Sequence, residues 1–182
     1  KGIDTYVYKF PPKLESKELD LIVCMGDELE HHNPSVEIRG ACVKFLRSLA
    51  KRTKYMIILV GNHTRKNNRV SIGPEHTLAD IYLNVNMDLS GVYIVEEPRI
   101  FNFDNVMFGA LPYIDPVDFD SIITEYWPDI ENSKMSFVFG HQEIVGSQVQ
   151  PGRLSTCNAH WNENWPSFIS GHIHERHHFK NV

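Results

Sequence analysis

Four times in this chain a short apolar run halts at a glycine, and a side chain able to bind a metal ion follows at once. Residues 21–25 end in Gly26-Asp27, residues 55–60 in Gly61-Asn62-His63, residues 135–139 in Gly140-His141, and residues 167–170 in Gly171-His172-Ile173-His174. Apolar runs of this length, cut off by a turn residue, suit strands covered on both faces of a sheet. The carboxyl ends of such strands are where open α/β sheets hold their ligands. Each ending alone has an ordinary reading: an aspartate opening a turn, an Asx turn beside a surface histidine, or a hydrogen-bonded core histidine. Four of them, each closing an apolar run, form a pattern that randomly placed surface histidines do not give.

The segments between these runs supply the connections of an α/β fold. Ser35 is placed to cap a helix. Val36, Ile38, Ala41, Cys42, Phe45, Leu46 and Leu49 then recur at helical spacing, so residues 36–51 read as an amphipathic helix. Strand, helix and strand in that order make a βαβ unit, with parallel strands and a right-handed crossover. Further along, residues 75–83 read as a short helix and 92–95 as a strand. Residues 99–103 and 106–110 read as a hairpin turned at Asp104-Asn105, and residues 117–126 as a helix. Residues 64–75, with Arg65, Lys66 and Arg69, read as an exposed basic loop, and residues 146–165 as a long surface loop of functional interest. Residues 1–18 carry a weak strand or helix end at 6–10, broken by Pro11-Pro12. With no linker or repeat, residues 1–182 read as a single domain whose first strand is expected upstream of Lys1.

Composition narrows the class without deciding it. The 182 residues are 42% hydrophobic and 23% charged, ordinary for a globular domain with a real core. No apolar stretch reaches the length of a membrane span, so no membrane partner is expected. Net charge is −5, which excludes a basic nucleic-acid-binding arm. It does not exclude a nucleic-acid substrate, because bound cations invert the local field. Cys24, Cys42 and Cys157 have no metal-type spacing and fit a reducing compartment rather than a disulfide framework. The chain is therefore expected inside a cell, in cytoplasm or nucleus.

The four endings together make a mixed oxygen and nitrogen donor set, suited to manganese, iron, zinc or cobalt rather than calcium. The glycines are expected to let the backbone turn sharply at each strand tip. His172 and His174, two apart, point the same way from an extended backbone. A carboxylate can bridge two ions, and two ions about 3.5–4 Å apart can hold both the attacking and the departing oxygen of a phosphoryl centre.

Taken in order, G-D-E-L-E, G-N-H-T, G-H-Q-E and G-H-I-H resemble the signature of the calcineurin-like metallophosphoesterases, over nearly the whole chain from about Asp4 to His174. Gly26-Asp27 followed by His32-Asn33-Pro34-Ser35 and a helix resembles the DNA-repair nuclease (SbcD-type) branch, as does Gly2-Ile3-Asp4-Thr5-Tyr6-Val7. The runs around His141 and His172 look most like phosphoesterases of phages and large DNA viruses, a resemblance that adds an infected host cell to the expected locations. The resemblance implies an α/β fold of two sheets packed face to face with helices outside and the metals at the strand tips. It implies Asp27 as a bridging carboxylate, joined by Asn62, His141 and His172 around one ion, with His174 helping to hold the other. It makes His63 the residue that meets the scissile phosphate and protonates the leaving oxygen. His31 and His32, in the loop beyond Asp27, are candidates for substrate contact.

The implied activity is two-metal phosphodiester hydrolysis by an activated water. The ions are two divalent metals, manganese first, with iron, zinc or magnesium as alternatives. DNA or another phosphodiester is the expected substrate, cut as an exo- or endonuclease. A homodimer and an ATPase partner follow from the same branch. Lys51, Arg52, Lys54, Arg65, Lys66 and Arg69 are available for a phosphate backbone, or simply form a solvated charged face. The family's opening Asp-x-His is absent and is expected upstream of Lys1. Thr64 stands where the family usually has a carboxylate beside the histidine, and the family's closing strands are expected beyond Val182. A small-molecule phosphatase or phosphodiesterase, and a non-catalytic binding module with one lost metal site, stay open beside the nuclease.

Overall fold

A computed structural model describes residues 19–65, 72–79, 91–173 and 182. Strand β1 is Leu19–Cys24 and helix α1 is Val36–Ala50. Strands β2 (Thr53–Leu59), β3 (Val92–Val95), β4 (Arg99–Phe103) and β5 (Val106–Leu111) follow. Helix α2 is Phe119–Tyr126. After it come β6 (Phe137–Gly140), β7 (Gln148–Gln150), β8 (Arg153–Leu154) and β9 (Ser167–Ser170). No helix among the described residues is long and apolar enough to cross a membrane.

The first sheet has the order β1-β2-β3, all parallel, with Cys24 opposite Ile58 and Leu59 opposite Val95. The second has the order β4-β5-β6-β9. There β4 and β5 are antiparallel, while β5, β6 and β9 run parallel. The hairpin turns where the sequence places it: Asp104 and Asn105 both have positive φ, 51° and 69°, as a two-residue primed turn requires.

Alternation along β2 decides the layering. Met56, Ile58 and Val60 pack with Cys42, Leu46 and Leu49 of α1. Ile57 and Leu59 point the other way, into a shared layer with Val95 and with Phe101, Phe108 and Ala110 of the second sheet. Aromatic rings cement that layer; Tyr55 stacks on Phe103 with ring centroids 3.9 Å apart. The outer face of the second sheet, through Leu111, Val138 and Phe168, is covered by Phe119, Ile122 and Ile123 of α2 and by Trp127 and Trp161. The result is helix, sheet, sheet, helix: the α/β two-sheet architecture expected. Helix α1 begins at Ser35, whose Oγ accepts from the Ile38 N–H at 3.4 Å. Glu37 in its first turn and Arg47 in its last complement the helix dipole.

Several local expectations need correction. Helix α2 starts at Phe119 rather than at residue 117, because the Asp115 carboxylate accepts from the Val117 N–H and its carbonyl from the Asp118 N–H, which folds a turn first. Strand β6 likewise begins at Phe137 rather than 135. Residues 146–165 are not simply a surface loop. They hold the β7–β8 hairpin, and Ser147, Ser155, Ala159 and Trp161 are buried. Trp161 draws the segment inward: its ring lies 4.6 Å from Phe168, and its Nε1 donates to the Pro166 carbonyl. Residues 64–75 are not uniformly exposed either. Thr64 and Arg65 are fully buried, because Arg65 forms an antiparallel bridge with His76. Of the helix expected over 75–83, residues 77–79 are helical. Residues 80–83, like Lys66 and Arg69, lie outside the described residues.

A candidate metal centre at the strand tips

The carboxyl ends of β1, β2, β6 and β9 converge, and each brings a donor. Asp27 lies just past β1 with φ of +55°, a left-handed conformation that aspartate tolerates better than most residues. Asn62 and His63 open a single 3-10 turn after β2, closed by Thr64, whose Oγ1 donates to the Gly61 carbonyl at 3.0 Å. Thr64 thus turns inward, and no described contact joins its side chain to the His63 ring. His141 follows β6 and His172 follows β9.

His141 is the hub. Its Nδ1 lies 2.7 Å from the Met25 carbonyl, which can only accept, so Nδ1 carries the proton. Nε2 is then a lone pair, and it faces three more electron-pair donors. Asp27 Oδ2 lies at 3.0 Å, His172 Nδ1 at 3.1 Å and Asn62 Oδ1 at 3.2 Å. With the His172 proton on Nε2, all four atoms present lone pairs at these distances, an arrangement that a cation among them satisfies. Asp27, His141 and His172 are also the group whose donor atoms all lie within 4.8 Å of one another. The residues therefore fit a divalent ion, with two oxygens and two imidazole nitrogens of borderline softness. The Met25 carbonyl fixes the His141 tautomer, the role that an outer partner plays for most metal-binding imidazoles.

Electrostatics favour the ligating forms. Burial alone pushes the Asp27 carboxyl up. The adjoining His141 imidazole and the His63 N–H more than offset it and hold Asp27 below the usual carboxylate range. Burial, followed by the neighbouring His141, lowers the pKa of His172 and keeps it neutral. His63 stands at the mouth. Its backbone N–H donates to Asp27 Oδ1 at 3.0 Å, while its ring is 48% exposed and its Nδ1 is 3.9 Å from Asp27 Oδ2. That posture leaves the ring free to meet something bound at the donors.

The expectation that each glycine makes a sharp turn holds for Gly26, whose φ is +99°, but Gly61, Gly140 and Gly171 do not have positive φ. At Gly61 the need is space: a β-carbon there would overlap the Asp27 carboxylate. At Gly26 both needs coincide, since a β-carbon would also come within 2.5 Å of His141 Nδ1. Gly26→Ala is therefore expected to displace the His141 ring. Manganese affinity should fall at least about tenfold and metal-free stability by about 1–3 kcal/mol. Calorimetric titration with Mn and thermal denaturation in EDTA measure the two, and unchanged manganese affinity would refute this reading of the hub.

Of the site residues expected from the sequence, the structure brings together Asp27, Asn62, His141 and His172, with His63 beside them. His174 lies outside the described residues. His31 and His32 are exposed on the loop before α1, and no described contact joins their side chains to the cluster. The His32 carbonyl accepts from Thr77 Oγ1. No local pattern singles out Tyr113, whose ring lies 5.8 Å from that of His172 and 6.4 Å from that of His141. Its one visible signal is position, just past the end of the apolar strand β5. Ser170 was missed as well: its Oγ accepts from the N–H of Gln142 and of His172, tying the two histidine segments together.

With this geometry in view, comparison with known proteins becomes decisive. The family pattern described as Calcineurin-like phosphoesterase (Metallophos) matches residues 3–176. The chain belongs to the calcineurin-like phosphoesterase family. Membership carries with it divalent-metal binding, in agreement with the donor set. Relatives include "Putative phosphoesterase 078R" of Invertebrate iridescent virus 3, 29% identical over 177 residues, covering 96% of this chain and 48% of that protein. "Putative phosphoesterase 244L" of Invertebrate iridescent virus 6 is 28% identical over 178 residues, covering 94% of this chain and 58% of that protein. The chain thus spans about half the length of the curated relatives it matches.

Proposed function

We propose that this calcineurin-like chain is a two-metal phosphodiester hydrolase acting on DNA, with His63 as the general acid. The observation that carries the metal-dependent hydrolase reading is the convergence of Asp27, Asn62 and His172 on the lone pair of His141. Bound divalent ions would supply the charge that activates an attacking water and neutralises the phosphoryl oxygens. Manganese is the first choice of ion, with iron, zinc and magnesium as alternatives. Asp27, Asn62, His141 and His172 hold the cation side of the site. The protein's own acid–base work, protonation of the departing oxygen, falls to His63, a reading supported by its exposed ring and by the bond from its N–H to Asp27. DNA as substrate is supported by the resemblance of the Asp27-to-Ser35 segment to the SbcD-type nucleases, and by exposed His31 and His32 on that segment.

A second reading, hydrolysis of smaller phosphate esters, has its own support. Arg65 is buried, and Lys54 is paired with Asp104 at 2.9 Å. Two of the six cations considered for a phosphate backbone are thus committed elsewhere.

Manganese-dependent hydrolysis of single- and double-stranded DNA, bis(p-nitrophenyl) phosphate and p-nitrophenyl phosphate separates these readings. Turnover of the DNA substrates supports the nuclease, and turnover of the aryl esters alone would overturn it in favour of the second reading. His63→Gln is expected to lower the rate about 10²–10⁴-fold while manganese affinity stays unchanged. Loss of metal together with activity in that variant would contradict the acid role.

A further inference from the structure

Tyr113 is tied to the metal cluster at three points. Its N–H donates to the Val60 carbonyl at 2.7 Å, and its own carbonyl accepts from Arg65 Nη2 at 3.3 Å. The next N–H, that of Ile114, donates to Gln142 Oε1 at 3.1 Å. Val60 immediately precedes Gly61-Asn62-His63, Arg65 lies two residues beyond His63, and Gln142 follows His141. Every tie therefore comes from a segment that also carries a donor or the acid. Arg65 and Gln142 are 1% and 0% exposed, so water does not compete for these bonds. The backbone of Tyr113 is fixed relative to the donors, not merely to strand β5.

Tyr113 itself is partly exposed. Its ring lies tilted by 38° against His172, beside the nearly perpendicular His141–His172 pair. These separations are within the range at which aromatic rings pack. His63 stands beside Asp27, and Tyr113 lies beside His141 and His172. A phosphoryl group at the donors therefore has both an imidazole and a partly exposed aromatic residue close by.

We propose that Tyr113 contacts the substrate, its ring receiving a planar aromatic substituent, a nucleobase or an aryl group, on a phosphate ester held at Asp27, Asn62, His141 and His172. This rests on the phosphoesterase reading above. Tyr113 then sets a preference among esters rather than the chemistry at phosphorus.

The test is calorimetric titration of inorganic phosphate, phenyl phosphate and thymidine 5′-monophosphate into the manganese-loaded chain and its Tyr113→Phe and Tyr113→Ala variants. The unaltered chain should bind at least one aromatic ester about tenfold more tightly than inorganic phosphate, or ~1.4 kcal/mol. Tyr113→Phe should keep that preference. Tyr113→Ala should erase it, with phosphate and manganese affinities held within about twofold. A preference for the thymidine ester over phenyl phosphate identifies a nucleotide as the source of the ring, and the reverse identifies a simple aryl ester. A preference that survives Tyr113→Ala overturns the proposal. So does an equal fall in phosphate or manganese affinity, which would mean that the ring acts through the two imidazoles. Failure of the unaltered, manganese-loaded chain to bind inorganic phosphate would instead overturn the phosphoesterase reading, and this proposal with it.

Discussion

His141→Ala is expected to abolish metal binding and hydrolysis together. Groups that merely orient a metal-binding imidazole are worth about 10–100-fold in affinity. His141 is itself a donor, and its Nε2 lies within 3.2 Å of three others. Manganese affinity should fall by more than about a hundredfold. Because a ligand that binds only the folded state raises its stability, manganese should lift the melting temperature of the unaltered chain and leave that of the variant in place. In EDTA the change should be small. The variant loses the bond to the Met25 carbonyl, worth about 0.5–1.5 kcal/mol. Retained manganese-induced stabilisation in His141→Ala would show that the four donors are not the metal site.

Glu28→Gln should stabilise the metal-free protein at alkaline pH by about 3 kcal/mol relative to its effect at pH 4. Both Glu28 carboxylate oxygens are sealed from solvent with no hydrogen-bond partner. Burial dominates, and the carboxyl is raised from 4.5 to about 7. The sign follows from proton counting. Between pH 4.5 and about 7 the folded state binds more protons than the unfolded one, so stability falls as pH rises through that window. Below it both states are protonated, and above it the loss is complete. Glutamine is neutral throughout and removes this term. Urea denaturation of both proteins from pH 4 to 9 in EDTA measures it. Parallel pH profiles would show that Glu28 is not a buried, uncompensated acid.

The parts of this fold legible in the sequence are those whose signal is local. Residues 92–95 and 167–170 form strands with the bounds that their apolar runs imply, and Asp104-Asn105 announces its own turn. The donors were legible for the same reason: a strand tip, a glycine and a ligand are consecutive residues. What escaped depends on contacts between distant segments. Tyr113 is set against the histidines by bonds to Val60, Arg65 and, through Ile114, Gln142, none of which a local pattern encodes. Arg65 reads as exposed because its neighbours are polar, yet the bridge to His76 turns it inward. The Gly-, Ser- and Asn-rich stretch over 146–165 reads as a loop until Trp161 finds its place between Phe119 and Phe168. Glu28 reads as one more acid after Asp27, and only the packing beneath β1 and α1 seals its carboxylate.

The central claim is that these strand tips hold catalytic metal ions, and metal content measured with phosphodiester hydrolysis on one sample tests it most directly. The unaltered chain, dialysed against manganese and assayed on DNA and bis(p-nitrophenyl) phosphate beside Asp27→Asn, is expected to retain tightly bound manganese and to cleave. The variant should lose both metal and activity, since the Asp27 carboxylate is the one formal negative charge among the four donors. An unaltered chain that holds no manganese and cleaves neither substrate, or an Asp27→Asn variant that keeps both, would contradict the account.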